Sequence, residues 1–462
     1  MSAVMVLWAS MLSAQWGPDV RLTYDDSTSA LRDVNWGNYW TVAASGSNVH
    51  VVWYDNRDGN YEIYYKRSTD NGETWGPDTR LTYTARPSLT PSIAVWNDIV
   101  HVTWREYLDS LCYMRSLDGG TTWEPSVRIG YGTADPPGIA VFRDTVFVAF
   151  DNYPSGFAIW YNYSTNSGLT WSGPISLYDW DQNWIGNCIH STTGFWILFH
   201  SYDNGVEQTA VYLLRPDGSG WQFPFTEQTI WSLGVAGADS VIYVTWEEEG
   251  SYGPYIYFYR STDGANSWLP GQILLETAQR EHSMAASQSN VHFVYCSGGV
   301  NYNNLFYRHS TDYGATWLPD TQLTNSTFQD WGKRPSITTS GPYVHLVWMD
   351  SRDGNWEIYY KRKKENIGIE EQISPDAGRP KFLSAPSFFK DRILLKFTEP
   401  LKDHVKIEVY NIIGQRVFER VYPASSSITI ADARLKKLAK GVYFLMVQSG
   451  NEDLGKVKLI KP

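Results

Sequence analysis

Six acidic residues occupy one recurring place in the chain, each just after a short apolar run: Asp55, Glu106, Asp151, Asp203, Glu247 and Asp350. Carboxylates gathered in a ring can accept hydrogen bonds from sugar hydroxyls, hold a cation, or work in pairs as general acid and base. They can equally satisfy the backbone of a turn, which the twin sequences DNRDGNYEIYY from Asp55 and DSRDGNWEIYY from Asp350 favour. A second set lies ahead of other apolar runs and mixes rings with cations: Tyr39, Trp40, Trp184 and Trp231, with Arg86, Arg280, Lys333 and Arg334. Aromatic faces stack on the C–H surfaces of sugars and guanidinium forks grip carboxylates, so this mixture suits a glycan or peptide ligand. We expect Trp40, Trp184, Trp231, Asp55, Glu106 and Glu247 to form the ligand site.

The elements that must position these residues are set by an octapeptide. STDNGETW at Ser68 to Trp75 recurs as SLDGGTTW ending at Trp123, STNSGLTW at Trp171, STDGANSW at Trp268 and STDYGATW at Trp317, with a worn RPDGSGW at Trp221. The steps between these tryptophans are 48, 48, 50, 47 and 49 residues, the period of a four-stranded propeller blade. Each repeat reads as three strands, the box, and a fourth strand such as PDTRLT, with β-branched and aromatic residues alternating with polar ones. The box is then a tight turn between strands three and four. Its acids Asp70, Asp118, Asp263 and Asp312 bond the turn's own backbone, Gly72, Gly120 and Gly314 take positive φ, and Trp75, Trp123, Trp171, Trp268 and Trp317 bury their rings. Second-strand signatures centred on Trp53, Trp104, Phe150, His200, Trp246, Tyr295 and Trp348 make seven units for six boxes. The seventh lacks a fourth strand, and WGPDVRLT at Trp16 to Thr23 nearly duplicates WGPDTRLT at Trp75 to Thr82. The N-terminal segment 16–23 is therefore expected to close the ring.

These boxes resemble the Asp-box, or bacterial neuraminidase, repeats of sialidase-like propellers over residues 16 to 363. The resemblance implies an all-β, sialidase-like propeller at 15–363; sialidase catalytic domains are six-bladed, and the seven units counted here make this one seven-bladed, a departure from that family. It also implies, as an alternative activity, exo-sialidase hydrolysis with three arginines, a Tyr–Glu nucleophile pair and an acid. Stand-ins are Arg86, Arg280 and Arg334, Tyr252 or Tyr255 with Glu247, and Asp55. Arg86-Pro87 and Arg334-Pro335 lack the isoleucine of the family's Arg-Ile-Pro start, which leaves glycan or extracellular protein binding ahead of hydrolysis, and a protein-interaction scaffold as the third reading.

The ends carry the address. MSAVMVLWASMLSAQ reads as a signal peptide over 1–14, too short for a permanent span. A linker at 364–386 with Pro375, Gly378 and Pro380 leads to a second strand-rich region at 387–462. There KIEVYNIIGQRV from Lys406, KGVYFLMVQ from Lys440 and KVKLIKP from Lys456 resemble the C-terminal sorting domain of the type IX secretion system of Bacteroidetes-like bacteria. That resemblance implies a small immunoglobulin-like β-sandwich, the secretion machinery as a partner, and a secreted or surface-attached protein. Residues 364–462 hold 17 Lys+Arg against 12 Asp+Glu, a net of +5, so the overall −11 leaves −16 for residues 1–363. A surface this acidic opposes nucleic acid and anionic membranes. Cys112, Cys188 and Cys296 lie in strand-like contexts and read as buried thiols; we expect no metal, no cofactor and a monomer.

Overall fold

The structure is a computed structural model, and it describes residues 15–365 and 382–461 apart from 32–39, 108–109, 132–135, 153–157, 179–181, 192–193, 204–205, 215–219, 227–229, 239, 251–252, 277–280, 298–303, 326–332, 385–391, 398–400, 402, 412–415, 439–440 and 451. The leader at 1–14 and most of the linker lie outside these. The chain forms two compact units, Met1–Gly368 and Ile369–Pro462.

Among the described residues the first unit contains seven antiparallel sheets built on four strands, in sequence order in all but the last. Sheet one runs Val42–Ser45, Asn48–Asp55, Glu62–Ser68, Thr79–Arg80, with the short strand Ser29–Ala30 added beside Asp55 and Tyr54. Sheet two runs Ser88–Trp96, Ile99–Glu106, Ser110–Ser116, Val127–Gly130. Sheets three to six repeat the pattern from Gly138 to Gln322. In sheet seven, Ser336–Ser340, Tyr343–Asp350 and Glu357–Lys364 are joined by Val20–Arg21, in the register Val20 to Tyr360 and Arg21 to Tyr359. The first strand of each sheet packs on those before and after it, and that of sheet seven packs on that of sheet one. Radially packed four-stranded sheets in a closed ring are a β-propeller.

The alternation read in the sequence explains the packing. Second strands put one face toward each neighbouring sheet, so Trp53, Trp104, Trp246 and Trp348 are fully buried. Apolar clusters fill each gap, for instance Ile139, Val146 and Phe150 of sheet three against Leu111 and Tyr113 of sheet two. The three cysteines are buried and free.

The duplicated WGPD segments are held alike. Arg57 reaches Asp78 (2.7 Å) and Lys66 reaches its other oxygen (2.8 Å); Arg352 and Lys361 grip Asp19 at 2.6 and 2.7 Å. Sheet seven thus binds its sequence-distant fourth strand with the same charges that sheet one uses on its own.

The second unit has two antiparallel sheets, Phe382–Ser384, Arg392–Phe397, Ser427–Ala431 and then Arg416–Tyr422, Val405–Asn411, Gly441–Ser449, Glu452–Lys461. Ile393, Leu395 and Ile430 of one meet Ile407, Val409 and Leu445 of the other in one apolar core. Regular structure enters the 364–386 stretch from both sides, since a strand ends at Lys364 and another covers Phe382–Ser384.

Candidate functional site

Each four-stranded sheet has two ends. The connections from strand one to two and from three to four share one end; the connection from two to three and the link to the next sheet share the other. The boxes therefore lie on one face, and all six acids on the opposite face.

On the box face the geometry is inward. Ser68 Oγ donates to Asp70 (2.6 Å) and accepts from Gly72 N (2.8 Å), while Asp70 accepts from the backbone and hydroxyl of Thr74 (2.9 and 2.6 Å). Burial works against the charge of Asp70, but these bonds hold its carboxyl down at about 2. The same bonds recur at Asp118, Asp263 and Asp312. The box also does something its sequence does not announce, because it seizes the preceding sheet. Gly72, at φ +80°, lies so close to Tyr360 that a Cβ would sit 1.9 Å from its hydroxyl, and Gly120 and Gly168 meet Tyr65 and Tyr113 in the same way. Trp75, Trp123 and Trp171, half-buried, set their rings edge-on to these tyrosines at 4.7–4.9 Å. His345, His50 and His101 hold the tyrosine hydroxyls at 2.8, 2.7 and 2.6 Å, and Arg362, Arg67 and Arg115 donate to box carbonyls at 2.9, 2.7 and 2.5 Å. This face is a set of clasps between sheets.

On the other face the acids have divergent fates. Asp55 is fully buried and accepts from Ser29 Oγ (2.8 Å), Arg57 N (2.8 Å) and the Arg57 guanidinium (2.6 Å). Asp350 is its twin, held by the backbone and guanidinium of Arg352 and by Lys333 Nζ (3.0 Å). Burial raises its proton affinity, yet Arg352 and Lys333 outweigh this and keep the carboxyl at about 2. Asp151 and Glu247 are buried, whereas Glu106 is half-buried beside Cys112. The arginines separate: Arg86 is exposed, and Arg334 lies near Glu281 (3.9 Å), which also accepts from the Arg334 backbone. Tyr255 is half-buried. Tyr39, Tyr252 and Arg280 lie outside the described residues, as do the side chains of Trp184, Trp231 and Asp203, whose strands are described.

The axis is a cavity of about 380 Å³ lined by first strands of all seven sheets, mostly by small residues such as Ala43, Ala94, Ala140, Gly237 and Ala285. Trp40 enters it from sheet one and packs against the cluster of Ile189, Leu233 and Val235 from sheets four and five. This half-buried ring is part of the cavity wall, braced by that cluster.

The exposed aromatics are elsewhere. Tyr24, Tyr83 and Tyr131 are 71%, 75% and 58% exposed, and each follows the fourth strand of sheets seven, one and two. Each ring rests on a guanidinium: Arg21 under Tyr24 at 4.9 Å, Arg80 under Tyr83 at 4.4 Å, Arg128 under Tyr131 at 4.3 Å. Two of the guanidiniums are themselves fixed by carboxylates, while Arg128 donates to the Tyr131 hydroxyl (2.9 Å). Arg80 donates to Asp58 (2.9 Å) and Glu62 (3.1 Å), and Arg21 donates to Asp353 (3.1 Å) and Glu357 (2.6 Å). Tyr61 and Tyr107, on the two-to-three connections of sheets one and two, are exposed on the same face. Three consecutive sheets thus present flat rings with one side backed and one side in water. The signal was available as Tyr24, Tyr83 and Tyr131 in RLTY, RLTY and RIGY, one residue beyond the repeat that reveals ring closure.

Comparison with known proteins adds an address and a fold. Residues 386–461 match the family described as the secretion system C-terminal sorting domain. That tail marks the chain for type IX export to the cell surface or extracellular space, and no helix among the described residues is long and apolar enough to cross a membrane. Comparison with curated proteins finds no match. Among solved structures, a polysaccharide lyase of the PL25 ulvan lyase family aligns with a TM-score of 0.50 and 11% identity over 72% of this chain and 93% of its own. A second polysaccharide lyase gives 0.51 and 9% over 76% and 99%. At such identities the likeness shows the fold alone.

Proposed function

We propose that this chain is an exported, seven-bladed, sialidase-like β-propeller, with an immunoglobulin-like sorting sandwich, that binds a neutral or weakly charged glycan chain without cleaving it. The observation that carries this reading is the row of three tyrosine rings, each stacked on a guanidinium and two of those guanidiniums fixed by carboxylates, on adjacent sheets of one face. A ring already immobilised loses little entropy when a sugar stacks on it. Each ring contributes about 1 kcal/mol of stacking, so one contact is weak and a repetitive ligand spanning several is held by avidity. The acidity of the propeller favours a ligand of low charge.

The acid–base alternative is weakened at Asp55, whose oxygens are occupied by Arg57 and Ser29. Trp184 and Trp231 remain the competing position for the same ligand, nearer the axis. Glycan-array binding separates the two. The triple change Tyr24→Ala, Tyr83→Ala, Tyr131→Ala should lower affinity about 100-fold by the stacking estimate, while Trp184→Ala with Trp231→Ala leaves it unchanged. The opposite pattern would move the site to the axis, and cleavage of a sialoside reporter would replace binding with hydrolysis.

A further inference from the structure

The junction of sheets six and seven has no box to clasp it. Sheet seven has no box, because its third strand ends at Lys364 and its fourth comes from the N-terminal segment. The residue of sheet six at the clasp position, where four other sheets carry Arg67, Arg115, Arg260 and Arg362, is His309. Beside it stands His292, the strand-two histidine of sheet six, with its ring stacked on that of His309 at 4.8 Å. From sheet seven comes Glu365, fixed by its backbone N–H to Pro342 O (2.7 Å). Its carboxylate lies 3.4 Å from His309 Nε2 and 3.9 Å from His292 Nδ1, and the three donor atoms all lie within 4.8 Å of one another. A cavity of about 20 Å³, lined by His292, Asn290, Gly341, Tyr343 and Glu365, adjoins them.

We propose that this junction is a divalent transition-metal site of the zinc class, with His292, His309 and Glu365 as its protein ligands. Two imidazoles and one carboxylate are a borderline donor set that suits zinc better than calcium or magnesium. Tetrahedral zinc with bonds of about 2.0–2.1 Å needs donors about 3.3 Å apart, close to the His309–Glu365 spacing, so only His292 must swing inward. His292 Nδ1 shares a hydrogen bond with Tyr307 Oη (2.8 Å) and His309 Nε2 one with Asn290 Oδ1 (3.3 Å), so both ligand atoms exchange a hydrogen bond for the metal. Lys363 Nζ contacts both Glu365 (3.3 Å) and Tyr307 Oη (3.3 Å). As the metal enters, the ammonium keeps the tyrosine and gives up the carboxylate. The metal thereby ties sheet six to sheet seven where four other junctions use arginine.

The test uses the full chain, freed of metal by chelation and then titrated with Zn²⁺ or Co²⁺ alone. We expect tetrahedral d–d absorption from cobalt and a zinc-dependent rise in unfolding temperature. Glu365→Gln should weaken binding at least about tenfold. His309→Arg introduces the residue that four other junctions carry, so it should remain folded, judged by circular dichroism, while losing the cobalt spectrum. A cobalt spectrum of the hydrated ion only, or one unchanged in folded His309→Arg, overturns the proposal.

Discussion

The two faces of the ring spend the same residue types differently. On the box face, Tyr360, Tyr65 and Tyr113 point their hydroxyls at a histidine and their rings at the next sheet's tryptophan, and nothing is left for a ligand. On the other face, Tyr24, Tyr83 and Tyr131 rest on arginines and show water a bare ring. Aspartate divides within one face, since Asp55 and Asp350 disappear into ion pairs while Asp58 and Asp353 stay near the surface and steady the arginines. Residue type does not separate scaffold from site here; what remains exposed once every partner is satisfied does.

The comparison can be broken most severely at closure. Deleting residues 16–24 strips sheet seven of its fourth strand and bares the edge of Tyr359 and Tyr360. We expect aggregation and loss of the cooperative unfolding transition, seen by light scattering and thermal melts. A single clasp is a smaller blow. Gly72→Val combines positive φ with overlap onto Tyr360 and should cost about 2–4 kcal/mol in urea unfolding. Gly173→Ala, at φ +87° with open space around it, should cost about 1 kcal/mol.

Next comes the buried ion pair of the face opposite the boxes. The carboxyl of Asp350 is lower in the folded state than in the unfolded chain, so it stabilises the fold above its unfolded value near 4, and that contribution fades as pH falls through about 2. Asp350→Asn should therefore cost about 2–3 kcal/mol at pH 7, with the gap to the unaltered protein closing between about pH 4 and 2. A pH-independent gap would show that shape rather than charge holds Lys333 and Arg352. The smallest effect belongs to the exposed rings: each of Tyr24→Ala, Tyr83→Ala and Tyr131→Ala should change stability by less than about 0.5 kcal/mol. Larger losses would make these rings part of the scaffold and erase the contrast between the faces.

The ring was legible in the sequence because a repeat writes its period into one residue type, and the spacing of Trp75, Trp123, Trp171, Trp268 and Trp317 survives drift elsewhere. The pairing of Val20 with Tyr360 was legible for the same reason, as a fourth strand misplaced by nearly the whole ring. Much of the candidate site was not. Asp55 looks like any acid at a strand end until Arg57 and Asp78, 21 residues apart, meet around it. Trp40 looks like a stacking platform until the opposite sheets come within its reach. The tyrosine row was hidden because exposure belongs to the folded surface, and the boxes concealed their grip on neighbouring tyrosines because that partner lies one sheet back.

The pairing of Val20 with Tyr360 also has a temporal meaning. The strand Val20–Arg21 leaves the ribosome before the sheet it completes, and bringing segments 340 residues apart together costs about 5 kcal/mol of chain entropy, so closure is expected to be late and slow. The export signal at 386–461 lies downstream of every sheet of the ring. A chain that can be recognised for secretion therefore already contains all it needs to close, and a truncated, open ring carries no ticket out of the cell.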